Sequence, residues 1–394
     1  MTPNEPSNPK PSKPMRIACV IHDCNREGGQ ERCAAELVDR LSLAHEVHLY
    51  AATARGLSAD RVVFHSIRVP RRPILVKNIL FFAQASMAIR RQGFQVVHAQ
   101  GASMWGQHVT TAHFCEAAWL ARHRDLAEAS EGPGRAVYHA INSRVSILLE
   151  NLIYRRRGTQ VVIAVSKATR EDLAEHYGLD PARIPVIYDG VDLETFHPNQ
   201  RPRWRGAIRQ QLRIADDACV VLFVGAFERK GLGYVLKALR ILRDTPVHLL
   251  VLGSGQGSAL RQLAQRLGLG DRTTFLGRQA DVHRYFAAAD LFVLPTLYEP
   301  FGMAVLEAMA SGLPVVTSRT AGVAELITDR EDGLLLDDPT DATAIATAVH
   351  LLVDSPELRE HLGRTAREKV SGYSWDYVVR ETLNVYRTVM DGRA

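Results

Sequence analysis

Two glutamates, Glu299 and Glu307, stand eight positions apart in YEPFGMAVLE, and two adjacent cations, Arg229 and Lys230, follow the apolar run VVLFVGAF. Carboxylates can hold hydroxyl groups, and paired cations at the exit of a buried strand can neutralise a diphosphate. The amide N–H groups of Phe301, Gly302 and Met303 begin the helix predicted over MAVLEAMASG, where the helix dipole favours an anion. Glu307 falls on that helix among Leu306, Ala308 and Met309. An unpaired carboxylate there would be costly, so a ligand or partner is expected to satisfy it. A second turn, Gly28 and Gly29 in GGQER, opens a helix after the first strand and admits phosphate close to the backbone, although many such turns carry no ligand. Gly225 in VGAFERKGL and Gly253 in VLGSGQGS lie at equivalent turns further on. Ser258 stands where a dinucleotide fingerprint needs its last glycine, so that cofactor is not expected.

These residues need elements to hold them, and the chain supplies strands alternating with helices. MRIACVIHDC, HEVHLYAA, VVFHSI, FQVVHAQ, QHVTTAHF and TQVVIAV form a first series, with Ser166 an expected N-cap of the helix that follows. The polar, proline-bearing PNQRPRWRG after Pro198 reads as a boundary. ACVVLFVGAF, VHLLVLGSG, TTFLGR, LFVLPT, LPVVTSR and GLLLDD restart the rhythm. Near-continuous apolar strands spaced by helices of ten to fifteen residues indicate α/β architecture with parallel sheets covered on both faces. Ligands of such sheets bind at the carboxyl ends of the strands. A last amphipathic helix is predicted over 373–390.

With 394 residues the chain exceeds the roughly 250–300 that one core supports, so two domains are expected. Its first fourteen residues hold five prolines and no apolar core, which reads as a disordered tail and not as a signal peptide. The five cysteines are scattered and lack metal-ligand spacing, as suits a reducing cytoplasm. No apolar run is long enough to span a membrane. The net charge of +5 does not imply nucleic acid, and the basic clusters lack the interleaved aromatics such binding needs. The segment 69–94 mixes arginines with apolar residues. It suits either an ordinary amphipathic helix on a sheet or a helix lying on an anionic membrane.

In their order along the chain, GGQER, VVHAQ, VIAVSKATREDLAEHYGL, IPVIYDGVDLETFHP, FVGAFERKGL, VLGSG, FLGR, ADLFVLPTLYEPFGMAVLEAMASGLPVVTS and GVAELI resemble retaining glycosyltransferases of family 4, whose signature is E-x7-E. The resemblance implies the GT-B fold: two Rossmann-like parallel-sheet domains facing across a cleft. It implies an acceptor-side domain over 15–197, a donor-side domain over 198–372, and a helix over 373–394 that crosses back to the first domain. By position, Glu299 would hold hydroxyls of the donor sugar and Glu307 the ribose of the nucleotide. Arg229 and Lys230 would stabilise the departing diphosphate, helped by the N–H groups of Phe301, Gly302 and Met303. Gly28 and Gly29 would approach the phosphate or sugar from the other domain, with Gly225 and Gly253 on the donor side. Backbone around Gly277 and Arg278 would border the base. His113 would orient the reacting sugar, unless it is simply a satisfied histidine at a strand end.

Departure of a nucleoside diphosphate places negative charge on phosphate, and fixed cations are the largest help available. No Asp-x-Asp motif accompanies these residues, so a metal-independent reaction with no cofactor is expected. A front-face course, in which the leaving phosphate helps deprotonate the acceptor hydroxyl, suits the lack of an obvious carboxylate nucleophile. The resemblance favours UDP-hexose, glucose first and GDP-mannose second. It also favours a saccharide or lipid-linked acceptor of the bacterial envelope, at the inner face of the cytoplasmic membrane. An epimerase or hydrolase on the same fold would need further acid and base residues around the sugar.

Overall fold

In a computed structural model of the chain, residues 13–122, 133–155 and 159–392 are described. All but the last two residues of the proline-bearing tail lie outside them. The first sheet contains β1 (Arg16–Val20), β2 (Glu46–Ala51), β3 (Val62–Ser66), β4 (Val96–Gln100), β5 (Val109–Ala112) and β6 (Val161–Ala164), in the spatial order β3-β2-β1-β4-β5-β6. The second contains β7 (Cys219–Ala226), β8 (Val247–Ser254), β9 (Thr273–Gly277), β10 (Leu291–Leu294), β11 (Val315–Ser318) and β12 (Leu334–Leu336), in the order β9-β8-β7-β10-β11-β12. The registered neighbours pair in parallel, for example Val251 beside Phe223 and Phe292 beside Leu222. Both sheets are parallel, as the alternating pattern predicts, and have the Rossmann-like order that the family resemblance implies, with a reversal between the first and fourth strands.

The apolar runs become strands because both of their faces are covered. Val220, Val221, Leu222 and Phe223 are all fully buried, as are Leu291, Phe292, Val293 and Leu294. At roughly 25 cal/mol per Å² of apolar surface, each such side chain contributes about 1.5–3 kcal/mol to folding. Helix α1 (Gly29–Leu41) starts at the glycine turn, α2 (Ile74–Ile89) spans most of the basic, apolar segment, and α3 (Lys167–Tyr177) comes after β6. Ser166 caps α3, accepting from the Thr169 amide at 3.0 Å. α2 buries a single stripe, Phe81, Ala85 and Ile89, against Ala18, Val20, Tyr50 and Val97. A helix turns 100° per residue, which sets Val76, Ile79, Leu80 and Met87 on the opposite side. All four are exposed, Met87 to 68%.

The described residues fall into two compact units. One takes residues up to Thr111, Arg144–Val162 and the chain from Leu383 on, and the other takes Ala112–Ser143 and Ile163–Thr382. The last helix, Trp375–Met390, passes from the second unit into the first. There the Tyr386 hydroxyl shares a 2.7 Å hydrogen bond with His98 Nδ1, and His98 Nε2 lies 2.8 Å from Thr111 Oγ1.

Candidate functional site

The second unit brings Glu299, Arg229 and Lys230 together. Arg229 and Lys230 leave the carboxyl end of β7, and Glu299 leaves that of β10, the strand beside it. Lys230 Nζ is 3.0 Å from Glu299 Oε2 and Arg229 Nη1 is 3.6 Å from the same atom. Burial pushes the Glu299 carboxyl up, but Lys230 and then Arg229 outweigh it and hold the group below its ordinary value. The pairing is chiefly coulombic, with Lys230 the nearer of the two cations to the enclosed Glu299 Oε2. The second guanidinium role is structural: Arg229 Nη1 donates to the Tyr298 carbonyl at 3.0 Å, fixing the chain just before Glu299.

Two of the glycines are explained by close approach. A Cβ on Gly225 would stand 2.3 Å from Lys230 Cδ, so the bare backbone there lets the lysine stem cross β7 toward Glu299. A Cβ on Gly253 would stand 1.9 Å from the Gly225 carbonyl oxygen, which makes Gly253 a condition for the Gly225 turn. The sequence placed both residues beside the donor, and their demonstrable work is to let neighbouring strand ends meet. Arg278, just after β9, is exposed and reaches Ser254 Oγ from two guanidinium nitrogens at 3.3 and 3.4 Å.

The loop after Glu299 is held from several sides. The Glu299 carbonyl accepts from the Gly322 amide at 2.9 Å, and the Phe301 carbonyl accepts from the Val323 amide at 2.7 Å. Gly302 is the N-cap of α4 (Met303–Ala310), with φ of 116°. The first amides of α4 have no intrahelical acceptor by virtue of their position. Phe301 is buried and Met303 half-buried. Glu307 sits on α4 at 5% exposure, as its apolar flanks predict. It has contacts within the protein, so the ligand or partner expected from sequence need not be a ligand.

A network that the sequence did not signal supports this loop from behind. The Tyr298 hydroxyl donates to Asp172 Oδ2 at 3.0 Å, and Arg122 binds the same carboxylate through both terminal nitrogens. Phe114 meets the Tyr298 ring edge to face at 5.3 Å between centroids. Thr169 Oγ1 donates to the Pro300 carbonyl at 3.3 Å. The Glu325 carboxylate accepts from the Lys167 and Ala168 amides at 2.9 and 2.8 Å and from the Tyr188 hydroxyl at 2.9 Å. The first turn of α3 and the Glu299 loop are thus one hydrogen-bonded block.

His113 follows β5 and is also in the second unit. Burial pushes its imidazole down to about 4, so it is neutral near pH 7 and offers one donor and one acceptor without charge. In the first unit Gly28 is the N-cap of α1 and Gly29 its first residue. The Glu31 side chain folds back over this turn, and a Cβ on Gly28 would stand 2.1 Å from its Oε2. A carboxylate therefore already lies at the dipole end that was expected to receive an anion.

Two family models fit complementary halves of the chain: Glycosyltransferase Family 4 over residues 27–195 and Glycosyl transferases group 1 over residues 205–369. A D-inositol 3-phosphate glycosyltransferase of Nocardioides is 33% identical over 250 residues, 58% of this chain and 53% of the relative. The chain thus matches only about half the length of that curated relative. Among solved structures, WaaG, a glycosyltransferase involved in lipopolysaccharide biosynthesis, superposes with a TM-score of 0.79 at 21% identity, over 94% of this chain and 99% of that one. Anabaena HepE, solved with UDP-glucose, gives a TM-score of 0.72 at 20% identity, over 95% and 100%.

Proposed function

Because this chain belongs to the GT-B glycosyltransferases, in the group 1 and family 4 lineage whose two models together reach from residue 27 to 369, we propose that it moves a hexosyl group from a nucleotide sugar to a saccharide or lipid-linked acceptor. The observation that carries this reading is the Glu299, Lys230 and Arg229 cluster at adjacent strand ends. In the resting protein the carboxylate neutralises the cations. A donor diphosphate competes for Lys230 and Arg229, and the Glu299 oxygen becomes available to the sugar hydroxyls. The cations then stabilise the charge that develops on the leaving phosphate, the position in which fixed charge is most effective. Metal independence, retention of configuration and a front-face course belong to the same proposal. A glycosyl-enzyme trapped on another carboxylate would overturn the last of these.

The donor is UDP-hexose, with UDP-glucose first and GDP-mannose as the competitor. The complex of HepE with UDP-glucose supports that donor, and the lipopolysaccharide role of WaaG supports an envelope glycan product. In this reading 15–197 is the acceptor side, 198–372 the donor side, and 373–394 returns to the first domain. The protein acts at the inner face of the cytoplasmic membrane, with residues 69–94 against anionic lipid. From Arg61 to Cys115 the sequence has seven arginines and lysines and no acid, while the remainder of the chain is net negative. Together with the exposed outer stripe of α2, that favours an interfacial helix. Among the described residues no helix is long and apolar enough to cross a membrane.

A panel of UDP- and GDP-sugars tests the assignment by thermal shift and nucleotide release, on the wild type and on Glu307→Ala. The expected result is a UDP-glucose-dependent shift that the variant loses. An unchanged shift in Glu307→Ala removes the ribose role, and rapid donor consumption without acceptor favours a hydrolase.

A further inference from the structure

At the end of α2 the first unit has a cavity of about 560 Å³. Met87, Ile89, Phe94 and Trp105 supply its apolar walls, and Arg90 and Arg91 its charge. Val97, at the second position of β4, and His108, just before β5, also line it. It therefore opens at the amino ends of the strands, opposite the edge that carries Gly28 and Gly29. Its size falls within the range of small-molecule sites.

The cavity is built, not merely left over. The Trp105 amide donates to Ser86 Oγ at 2.9 Å, which ties the loop before β5 to the last turns of α2. His108 Nδ1 accepts from the Val97 amide at 2.9 Å, closing the floor. Arg91 has a φ of 72°, a left-handed conformation that costs a residue with a Cβ. That turn holds two adjacent arginines, and among the described residues neither has an ion-pair partner. A helix C-terminus favours cations by its dipole, which accounts for the charge but not for an aromatic-walled cavity beside it. Met87 belongs both to this wall and to the exposed outer stripe of α2.

We infer that this cavity is a headgroup site for an anionic phospholipid of the phosphatidylglycerol type, its phosphate diester held by Arg90 and Arg91 and its first chain carbons lying along Met87 and Trp105. The inference rests on the reading of residues 69–94 as the membrane-facing segment. It adds to that reading a stoichiometric lipid contact in place of a diffuse attraction. Occupancy would fix the rotation of the first unit on the bilayer and leave the carboxyl edge of its sheet free.

Calorimetric titration of the full chain with monomeric dihexanoyl phosphatidylglycerol, below its micelle concentration, tests the site without a membrane. Dihexanoyl phosphatidylcholine and inorganic phosphate are the comparison probes. Saturable one-to-one binding is expected, at least about tenfold weaker with either comparison probe. The double variant R90A/R91A should abolish it, whereas R71A/R72A, which removes the same charge before the other end of α2, should preserve it. Melting temperatures of both variants check the fold. Equal loss in the two variants, binding of inorganic phosphate as tight as of the lipid, or no saturable binding would each overturn the site. Flotation on phosphatidylglycerol vesicles separates the two readings. Vesicle binding without monomer binding removes the pocket and keeps the membrane-facing segment, and loss of both removes both.

Discussion

Replacing Lys230 with methionine keeps most of the stem that crosses Gly225 and deletes the charge 3.0 Å from Glu299. At an effective dielectric constant near 20 the direct attraction at that distance is about 5 kcal/mol before desolvation is subtracted. Removing one partner of a buried pair costs about 3–5 kcal/mol, because the other charge stays behind. Here Arg229 remains at 3.6 Å and takes up part of that loss, so the expected destabilisation is about 2 kcal/mol. For a unit of this size that lowers the melting temperature by about 4–8 °C. The pH dependence has a definite sign. The Glu299 carboxyl is held below its ordinary value of 4.5, so its stabilisation is present above that pH and is lost as pH falls through the lowered folded value. Without Lys230 the opposing effect of burial gains weight, and the acid limb of the stability curve moves to higher pH. The loss of stability in the double variant K230M/E299Q should be smaller than the sum of the two single losses, as a double-mutant cycle shows for a coupled pair. Activity should stay low in both, since loss of one charge-stabilising group typically lowers kcat by about 10²–10³. Differential scanning calorimetry between pH 3 and 8, with donor turnover at pH 7.5, measures all of this. A K230M protein with wild-type melting and an unmoved acid limb would refute the cluster as the organising feature of the site.

Tyr298→Phe removes the hydroxyl that donates to Asp172. It should cost about 1 kcal/mol and lower kcat more than it raises KM for the donor, because the loop behind Glu299 loosens. Asp290→Ala should cost about 3–5 kcal/mol by chemical denaturation, since it strands Arg201, Arg205 and Arg209 around an empty site and frees the Val220 amide. His113, pushed down to about 4 by burial, should show no imidazole titration by NMR above pH 5. Its unfolded form takes up a proton as pH falls through about 6.5, so stability should decline from there toward pH 4, and His113→Gln should flatten that slope.

Local signals survived translation into structure. The apolar strands, the Ser166 cap and the strand, loop and helix around YEPFGMAVLE each occupy a short window. Their hydrophobic pattern and cap chemistry are readable there. The pairing of Glu299 with Lys230 also follows, once β7 and β10 are known to be neighbours. Tyr298, Asp172 and Arg122 gave no such sign. Asp172 and Tyr298 are 126 residues apart, and no period or motif links them. The acid-free run 61–115 was visible as composition. Which side of α2 keeps its apolar residues in water depends on the stripe of Phe81, Ala85 and Ile89 that the sheet claims. Glu31 carries no signal in the sequence, because an acid in a first helical turn is ordinary.

The block that joins α3 to the Glu299 loop bears on how this chain can be taken apart. A fragment cut at the proline-bearing boundary, residues 198–372, would retain Glu299, Lys230, Arg229 and Glu307. It would lack the Asp172 carboxylate, the Thr169 hydroxyl and the α3 amides that tether Tyr298, Pro300 and Glu325. The half that carries YEPFGMAVLE would therefore stand without these tethers. Shuffling such halves between relatives would exchange Glu299, Lys230 and Arg229 and leave these tethers with the other parent.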